Sequence, residues 1–212
     1  MPATAPALPE PPTPEAAALR AAAHAAARRL PLDAGDGVRV RRLAPADAPA
    51  LFARIDASRA HLRAWLDWVD ATRAPSDTEA FLRASAERFE ATGALDVGLE
   101  RDGVLVGMIG MNAVDPAARR AEIGYWLAAD ATGRGTVTRA LGALASLWFG
   151  PMGLARTEIL VHPDNAASRA VAERAGYAPV GVRAGGGVRD GVPFDLLVYA
   201  RTAPDAAEEA PR

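Results

Sequence analysis

The hydrophobic residues of this chain recur with two different spacings, which predict where its strands and helices lie. Residues 38–43 alternate between apolar and polar side chains, the pattern of a strand with one buried face. In residues 46–69 and 76–93 the apolar side chains instead recur every three or four positions, which predicts two helices. The second helix would begin at Ser76-Asp77-Thr78-Glu79, a sequence typical of a capping box.

A β-meander is predicted after these helices. Residues 95–100 and 104–112 are joined by Arg101-Asp102-Gly103, in which Asp-Gly is a strong hairpin signal. The next strand, 121–127, follows a turn at Pro116. These segments therefore form three consecutive strands of one sheet.

Helices and strands alternate in the last third of the chain. Beyond a glycine-containing loop, apolar side chains at helical spacing predict a helix with one buried face, formed by Val137, Leu141, Leu144, Ala145 and Trp148. A strand at 157–161, a helix at 165–175 and strands at 177–182 and 194–200 complete the pattern. The order β-αα-βββ-α-β-α-ββ predicts an α/β fold whose mixed sheet has helices on both faces.

Length and composition favour one domain. With 212 residues, of which 50% are hydrophobic and 6% aromatic, the chain can bury one ordinary core. We expect this domain to span residues 37–202. Residues 1–36 are an Ala- and Pro-rich extension, expected to be partly helical or disordered, and the acidic residues 203–212 are expected to form a flexible tail.

Charge and cysteine content narrow the class of partner. A formal net charge of −2, without a long basic run, gives no electrostatic footprint for nucleic acid. No apolar run reaches the ~20 residues that span a bilayer, and the first residues lack a signal-peptide pattern. The absence of cysteine excludes thiolate chemistry, and the three histidines are too scattered for a metal site. We therefore expect a cytoplasmic protein without a metal, membrane or nucleic-acid partner.

The loop between strand 121–127 and the following helix carries an anion-binding pattern. Gly133 and Gly135 lack the Cβ that would keep a phosphate off the backbone, and the first amides of the helix have no intrahelical partner. A tight turn before a helix is the alternative interpretation. A P-loop would need Gly-Lys-Ser/Thr here, and a dinucleotide-binding loop would need glycine where Thr138 stands.

Together these motifs resemble those of the GNAT N-acyltransferases, in particular the RimJ/RimL branch, which includes ribosomal-protein N-terminal acetyltransferases. The resemblance covers residues 38–201 and is carried by Leu62-Arg63-Ala64-Trp65-Leu66-Asp67-Trp68-Val69, Glu122-Ile123-Gly124-Tyr125-Trp126-Leu127, Gly133-Arg134-Gly135 with Thr138, His162-Pro163-Asp164-Asn165 with Ser168, and Ala172-Glu173-Arg174-Ala175-Gly176-Tyr177. It implies the GNAT fold, acetyl-CoA as the cofactor, and direct transfer of the acetyl group to a primary amine.

The resemblance also implies which residues hold the cofactor. Those expected to bind CoA are Trp126, Leu127, Thr132, Gly133, Arg134, Gly135, Thr136, Val137, Thr138, Asn165 and Ser168. Ser168 matches a serine placed near the cofactor sulfur, where its hydroxyl would donate to the departing thiolate, and Asn165 would bond the pantetheine amides. The alternative for both is structural, because Asn is a favoured N-cap and serine often completes a helix start.

Proton removal is the step for which alternatives stay open. Glu122 is the candidate general base, because it lies on the strand that leads to the loop and a carboxylate can act directly or through water. A structural ion pair is the alternative for Glu122. Some RimL-like enzymes have a glutamate after the sixth strand where this chain has Gly187. Bulk water would then suffice for an α-amine, whose pKa is about 8. Residues 185–187 are expected to form a mobile loop over the acceptor site.

The acceptor pocket is expected to be lined by Trp65, Trp68 and Tyr125, with core packing the alternative for at least one tryptophan. Its occupant is a primary amine, either a protein N-terminal α-amine or a small molecule such as a polyamine, an amino acid or an antibiotic. A catalytically weak CoA-binding module is the alternative from another functional class. A homodimer is a further expectation from the resemblance.

Overall fold

One eight-stranded sheet forms the centre of the computed structural model, which describes residues 12–189 and 191–204. Its strands are β1 (Leu32–Gly35), β2 (Val38–Arg42), β3 (Asp96–Arg101), β4 (Val104–Asp115), β5 (Arg120–Leu127), β6 (Arg156–Val161), β7 (Ala178–Arg189) and β8 (Val192–Thr202). The helices around it are α1 (Pro14–Ala27), α2 (Ala48–Ala57), α3 (Arg59–Arg63), α4 (Pro75–Thr92), α5 (Thr136–Phe149) and α6 (Ala166–Arg174). None of the helices described here is long and apolar enough to cross a bilayer.

The strands lie in the order β1-β2-β3-β4-β5-β6-β8-β7, and every neighbouring pair is antiparallel except β5 and β6. The parallel pair is short, because its register covers only residues 120–122 against residues 156–158. β5 continues to Leu127 and β6 to Val161. The two strands therefore part towards their carboxyl ends, and an opening forms between them.

β4 separates two hydrophobic clusters. Ile109 and Met111 lie in the larger cluster, together with buried side chains of α1, α5 and α6. Met108 lies in the smaller cluster, together with buried side chains of α2, α3 and α4. The amphipathic stripe of α5 is buried as its spacing predicts, with Leu141 and Leu144 almost fully covered. The predicted mixed sheet with helices on both faces is confirmed.

The chain adds a helix and a strand in front of the first predicted strand. α1 contributes Leu19, Ala23 and Ala26 to the larger cluster, and β1 pairs antiparallel with β2. The predicted domain limit at residue 37 falls inside this β1–β2 hairpin, so residues 14–35 pack with the domain. Residues 1–11 of the predicted extension and residues 205–212 of the predicted tail lie outside the described part.

The prediction of one helix over residues 46–69 is wrong, because the chain breaks between α2 and α3. Ser58 leaves the helical conformation with φ −114° and ψ 12°. The guanidinium of Arg59 then donates to the carbonyl oxygens of Val69 at 2.7 Å and Thr72 at 2.6 Å. These bonds fold the segment back on itself, and a continuous helix could not make them.

α4 begins one residue before the predicted capping box. The carboxylate of Asp77 accepts the backbone amides of Arg73 at 2.8 Å and Ala74 at 2.9 Å. These backbone hydrogen bonds lower the pKa of Asp77. The helix start is therefore fixed by Asp77 and Pro75 rather than by the hydroxyl of Ser76.

The predicted loop over residues 185–187 is wrong, because the triple glycine lies inside β7. Gly187 is in register with Phe194 of β8. The Phe194 ring packs directly over the backbone of Gly187 and would have to move if a Cβ were added there. β7 and β8 thus form one long hairpin at the edge of the sheet, and the predicted strand 177–182 is only its first half.

Candidate active site

The glycine loop has the geometry of an anion site. β5 leads through a 3-10 turn, Ala129–Ala131, to the start of α5. Gly133 and Gly135 have φ values of 74° and 72°, in the left-handed region that favours glycine. A Cβ at Gly133 would meet no atom within 4 Å, so the backbone is open on that side. The first amides of α5 lack intrahelical acceptors, and the helix dipole favours an anion there.

The hydroxyl groups of three threonines in and after this loop indicate whether a pyrophosphate would fit there. The Oγ1 atom of Thr138, in the first turn of α5, is buried and has no hydrogen-bond partner within the described part of the chain. Thr132 instead donates to the carbonyl of Ala129 at 2.9 Å, and the Oγ1 of Thr136 lies 3.4 Å from Arg101. A free hydroxyl beside free amides matches a ligand that offers only acceptor oxygens, so a pyrophosphate fits.

Side chains from distant parts of the sequence hold the loop. Arg54 of α2 pairs with Asp130 at 2.5 Å, and the Ser58 hydroxyl accepts the amide of Ala129 at 3.0 Å. Arg101, at the end of β3, donates to a carbonyl of the glycine loop at 3.2 Å. Sequence reasoning missed all three, because a contact between residues so far apart leaves no local pattern.

Tyr125 and Ser168 meet at the opening between β5 and β6. The Tyr125 hydroxyl lies 2.9 Å from the Oγ of Ser168 and donates to the Ser168 carbonyl at 3.1 Å. Burial raises the pKa of Tyr125 to about 12, so its phenol stays neutral at neutral pH. The Oδ1 of Asn165 accepts the amide of Ser168 at 3.0 Å, which makes Asn165 the N-cap of α6.

Glu122 lies in an ion-pair network where β5 and β6 begin to part. Its Oε2 accepts from Arg183 of β7 at 2.9 Å, and Arg183 also lies 3.7 Å from Glu158. Glu158 pairs in turn with Arg120 at 2.9 Å and with Arg156 at 2.8 Å. The geometry of Glu122 is thus that of the predicted structural ion pair, and its role as general base stays a prediction.

A pocket of about 470 Å³ opens between α2, α4 and the strands β4 and β5. Its walls include the apolar side chains Leu51, Ile55, Leu66, Phe81 and Met108. Two predicted acceptor residues, Trp68 and Tyr125, also line it. Trp126, predicted to bind the cofactor, lines the pocket too, and its ring centroid lies 6.0 Å from that of Trp68.

Trp65, the third predicted acceptor residue, is not among the side chains that line this pocket. It packs instead on His162, with 5.5 Å between ring centroids, and His162 lies 4.8 Å from Phe194. This aromatic row links the region after α3 to the ends of β6 and β8. Within residues 12–189 and 191–204, no three His, Asp or Glu side chains form a metal-binding group.

Known proteins share this sequence and architecture. A family model for the acetyltransferase (GNAT) domain matches residues 38–178. YdaF of Bacillus subtilis (strain 168), provisionally named a ribosomal N-acetyltransferase, is 32% identical over 164 residues, which cover 77% of this chain and 90% of that relative. The family model and this relative carry the likeness across most of the chain.

Two solved structures extend the likeness to the fold. The microcin C7 self-immunity acetyltransferase MccE, in complex with acetyl-CoA and AMP, has a TM-score of 0.77 and 26% identity, covering 82% of this chain and 97% of its own. RimJ of Mycobacterium smegmatis, in complex with CoA-disulfide, has a TM-score of 0.72 and 31% identity, covering 82% and 84%.

The likenesses agree with the glycine loop, the opening between β5 and β6, and the adjacent pocket. The predicted fold, the N-acetyltransferase activity and the acetyl-CoA cofactor are confirmed. The roles of individual site residues stay predictions. The chain belongs to the GNAT acetyltransferase family.

Proposed function

We propose that this acetyltransferase acetylates the α-amino group of a protein N-terminus. The observation that supports this proposal best is the position of Tyr125. Its side chain lines the acceptor pocket, while its hydroxyl contacts Ser168 at the opening between β5 and β6. An amine in the pocket would therefore lie beside the residues expected to surround the cofactor sulfur.

Acetyl-CoA, when bound, supplies a thioester whose carbonyl carbon the neutral amine attacks, so that a C–N bond forms and the C–S bond breaks. Ser168 would donate a proton to the departing thiolate and regain one from solvent, so that the leaving group departs as the neutral thiol of CoA. Tyr125 would orient the Ser168 hydroxyl, because its neutral phenol is 2.9 Å away. The amides around Gly135 and the hydroxyl of Thr138 would bind the pyrophosphate.

An α-amine is a suitable acceptor because few groups at this site could remove a proton from the attacking amine. Glu122 would remove a proton from the attacking amine through water, although it shares a hydrogen bond with Arg183. An α-amine has a pKa of about 8, against about 10.4 for a lysine-type amine, so a larger fraction of it is neutral at pH 7. Such an acceptor needs the least help from a base.

Relatives supply the second support for a protein acceptor. One curated relative, 27% identical, is named the ribosomal-protein-serine acetyltransferase of Escherichia coli (strain K12), and a structural neighbour is named a ribosomal L7/L12 alpha-N-protein acetyltransferase in complex with CoA. A small-molecule amine is the second candidate, because the MccE structure holds AMP as well as acetyl-CoA. A CoA-binding module without turnover is not favoured.

Thiol release from acetyl-CoA in the presence of matched amines tests the proposal. We expect turnover with the peptide amide Ser-Ala-Ala-NH₂ to exceed turnover with spermidine at equal concentration, and mass spectrometry to place the acetyl group on the α-amine. The same peptide with a blocked N-terminus is the control. Thiol release that is faster with spermidine would contradict the α-amine assignment.

We also propose a cytoplasmic location and a homodimer. The absence of cysteine suits a reducing compartment. Edge strand β7 leaves Val180, Val182 and Val188 half exposed, an apolar edge that a second copy could cover. Light scattering coupled to size exclusion tests the dimer, which a monomeric mass at micromolar concentration would contradict.

A further inference from the structure

One face of α4 carries polar side chains into the acceptor pocket. Thr78, Phe81 and Arg88 all line the pocket, at spacings that place them along one side of the helix. Arg88 belongs to none of the sequence motifs, and Thr78 belongs only to the predicted capping box. Their surroundings indicate what kind of group they would bind.

Thr78 has a buried hydroxyl without a partner. The residue is only 2% exposed, and its Oγ1 makes no hydrogen bond to any group in the described part of the chain. A helical threonine can donate to the carbonyl one turn earlier, but this one does not. Burying an unpaired hydroxyl is unfavourable. A ligand in the pocket that hydrogen-bonds the Thr78 hydroxyl would remove this cost.

Arg88 is paired with a carboxylate and has one buried nitrogen that is left without a partner. Its Nη2 pairs with Asp96 at 2.5 Å, and the hydroxyl of Ser85 donates to the same carboxylate oxygen at 2.6 Å. The Nε of Arg88 is buried and has no partner among the described residues. A guanidinium N–H only donates, so a ligand group that pairs with this atom must be an acceptor.

Two facing glycines make room for the polar groups on the pocket floor. Gly110 of β4 and Gly124 of β5 are in register. A Cβ at Gly110 would lie 2.3 Å from the Asp96 carboxylate, and one at Gly124 would lie 2.6 Å from the Asn112 amide. Asp96 and Asn112 therefore lie directly over backbone, and both line the pocket.

These groups together suit a ligand that has neutral acceptor oxygens. They suit a polyamine less well, because a polyamine carries a second positive charge. Arg88 and Asp96 offset each other, so the pocket has no excess negative charge for a polyamine. Protonated amines offer N–H donors, which cannot accept from the Arg88 Nε or stabilise its guanidinium. Amide carbonyl oxygens can accept from Arg88 and from Thr78.

We infer that Thr78 and Arg88 determine acceptor specificity by donating hydrogen bonds to carbonyl oxygens of a peptide whose N-terminal amine is acetylated. This inference rests on the proposed function and assigns residues to its selectivity. The apolar side chains Leu51, Ile55 and Phe81 would surround the rest of the peptide.

Variants of both residues test the inference with Ser-Ala-Ala-NH₂ and 1,8-diaminooctane as alternative acceptors. Thr78→Val keeps the shape of the side chain and removes only the hydroxyl. We expect its KM for the peptide amide to rise about 10-fold, the effect of one lost hydrogen bond, with kcat and the KM for the diamine unchanged. Because the hydroxyl has no partner among the described residues, the melting temperature should be retained or raised.

Arg88→Lys keeps a positive charge beside Asp96 and removes the Nε donor. We expect kcat/KM for the peptide amide to fall by roughly 10- to 100-fold, because a charge-assisted hydrogen bond is lost, while diamine turnover is retained. Arg83→Lys is the matched control, since Arg83 lies on the exposed side of α4 and pairs with Glu79. Circular dichroism checks that each variant folds.

The outcomes separate this inference from the proposed function. If the wild-type protein acetylates the peptide and both variants keep its selectivity, the inference is wrong and the function stands. If the wild-type protein releases no thiol with any amine, the function fails, and calorimetry with the peptide amide and CoA still tests the pocket. Weaker peptide binding by both variants would then support the inference, and equal binding would overturn it.

Discussion

The proposed cofactor side and the proposed acceptor side of the site are built in different ways. The proposed cofactor side consists mainly of backbone groups from one continuous segment, β5 with its loop and the first turn of α5. The acceptor side consists of side chains from α2, α4, β3, β4 and β5, which meet only in the folded protein. A backbone site depends on conformation, whereas a side-chain site depends on residue identity and strand register.

This difference predicts unequal responses to substitution. On the cofactor side, one residue that blocks the backbone should abolish binding of any CoA ester. On the acceptor side, single substitutions should change which amine is preferred and leave CoA binding intact. The following experiments test that contrast, beginning with the largest expected effect.

Gly135→Asp should abolish CoA binding. The substitution places a carboxylate against the phosphates at the start of α5, and we expect the Kd for CoA to rise at least about 100-fold in calorimetry. Gly153→Asp is the matched control, because Gly153 also has a positive φ, 65°, and open space around its Cβ position. Unchanged CoA affinity in Gly135→Asp would remove the loop from the cofactor site.

Glu122→Gln should impair proton removal and leave CoA binding intact. We expect kcat/KM to fall roughly 100-fold for an amine of high pKa such as spermidine, and less for an α-amine that is already partly neutral. The acidic limb of the pH profile should flatten. Arg183→Met is the control, because it breaks the same ion pair and keeps the carboxylate. A wild-type profile with spermidine in Glu122→Gln would make Glu122 a structural residue.

Ser168→Ala should lower kcat about 10-fold and leave the Kd for CoA unchanged, because its hydroxyl acts on charge that develops in the transition state. Tyr125→Phe removes the hydroxyl 2.9 Å away, and we expect a smaller fall in kcat. Stopped-flow thiol detection and calorimetry measure the two constants. Equal losses in binding and turnover would mark Ser168 as part of the α6 cap.

The strand, turn and helix of the proposed cofactor side could be predicted from the sequence because their signals are local. Glycines with positive φ, a strand before them and an amphipathic helix after them all lie between residues 120 and 149. The same holds for the β-meander, whose Asp102-Gly103 turn is at its predicted place. In such segments, the residues that cause the structure are neighbours along the chain.

The acceptor side could not be predicted in the same way. Ser58, where the helix breaks, accepts the amide of Ala129, 71 residues away. The polar floor of the pocket depends on the register that sets Gly110 opposite Gly124. Gly187 was predicted to lie in a loop, but it lies in β7, where the absence of a side chain leaves room for the ring of Phe194 across the hairpin. Each is a contact between distant segments, which periodicity along the chain does not record.

One contact joins the two sides and gives the smallest predicted effect. Arg54 lies on α2, whose Leu51 and Ile55 line the acceptor pocket, and it pairs with Asp130 at the start of the cofactor loop. Arg54→Met should raise the Kd for CoA by no more than about fivefold, because a partly exposed ion pair contributes little. A double-mutant cycle with Asp130→Asn isolates the pair from other effects of each substitution. Arg83→Met, which breaks the exposed pair with Glu79, is the control.

If the KM for the acceptor moves together with the Kd for CoA, α2 couples the two sides. If neither constant moves and only the melting temperature falls, the two sides act independently, and the contrast between them is complete.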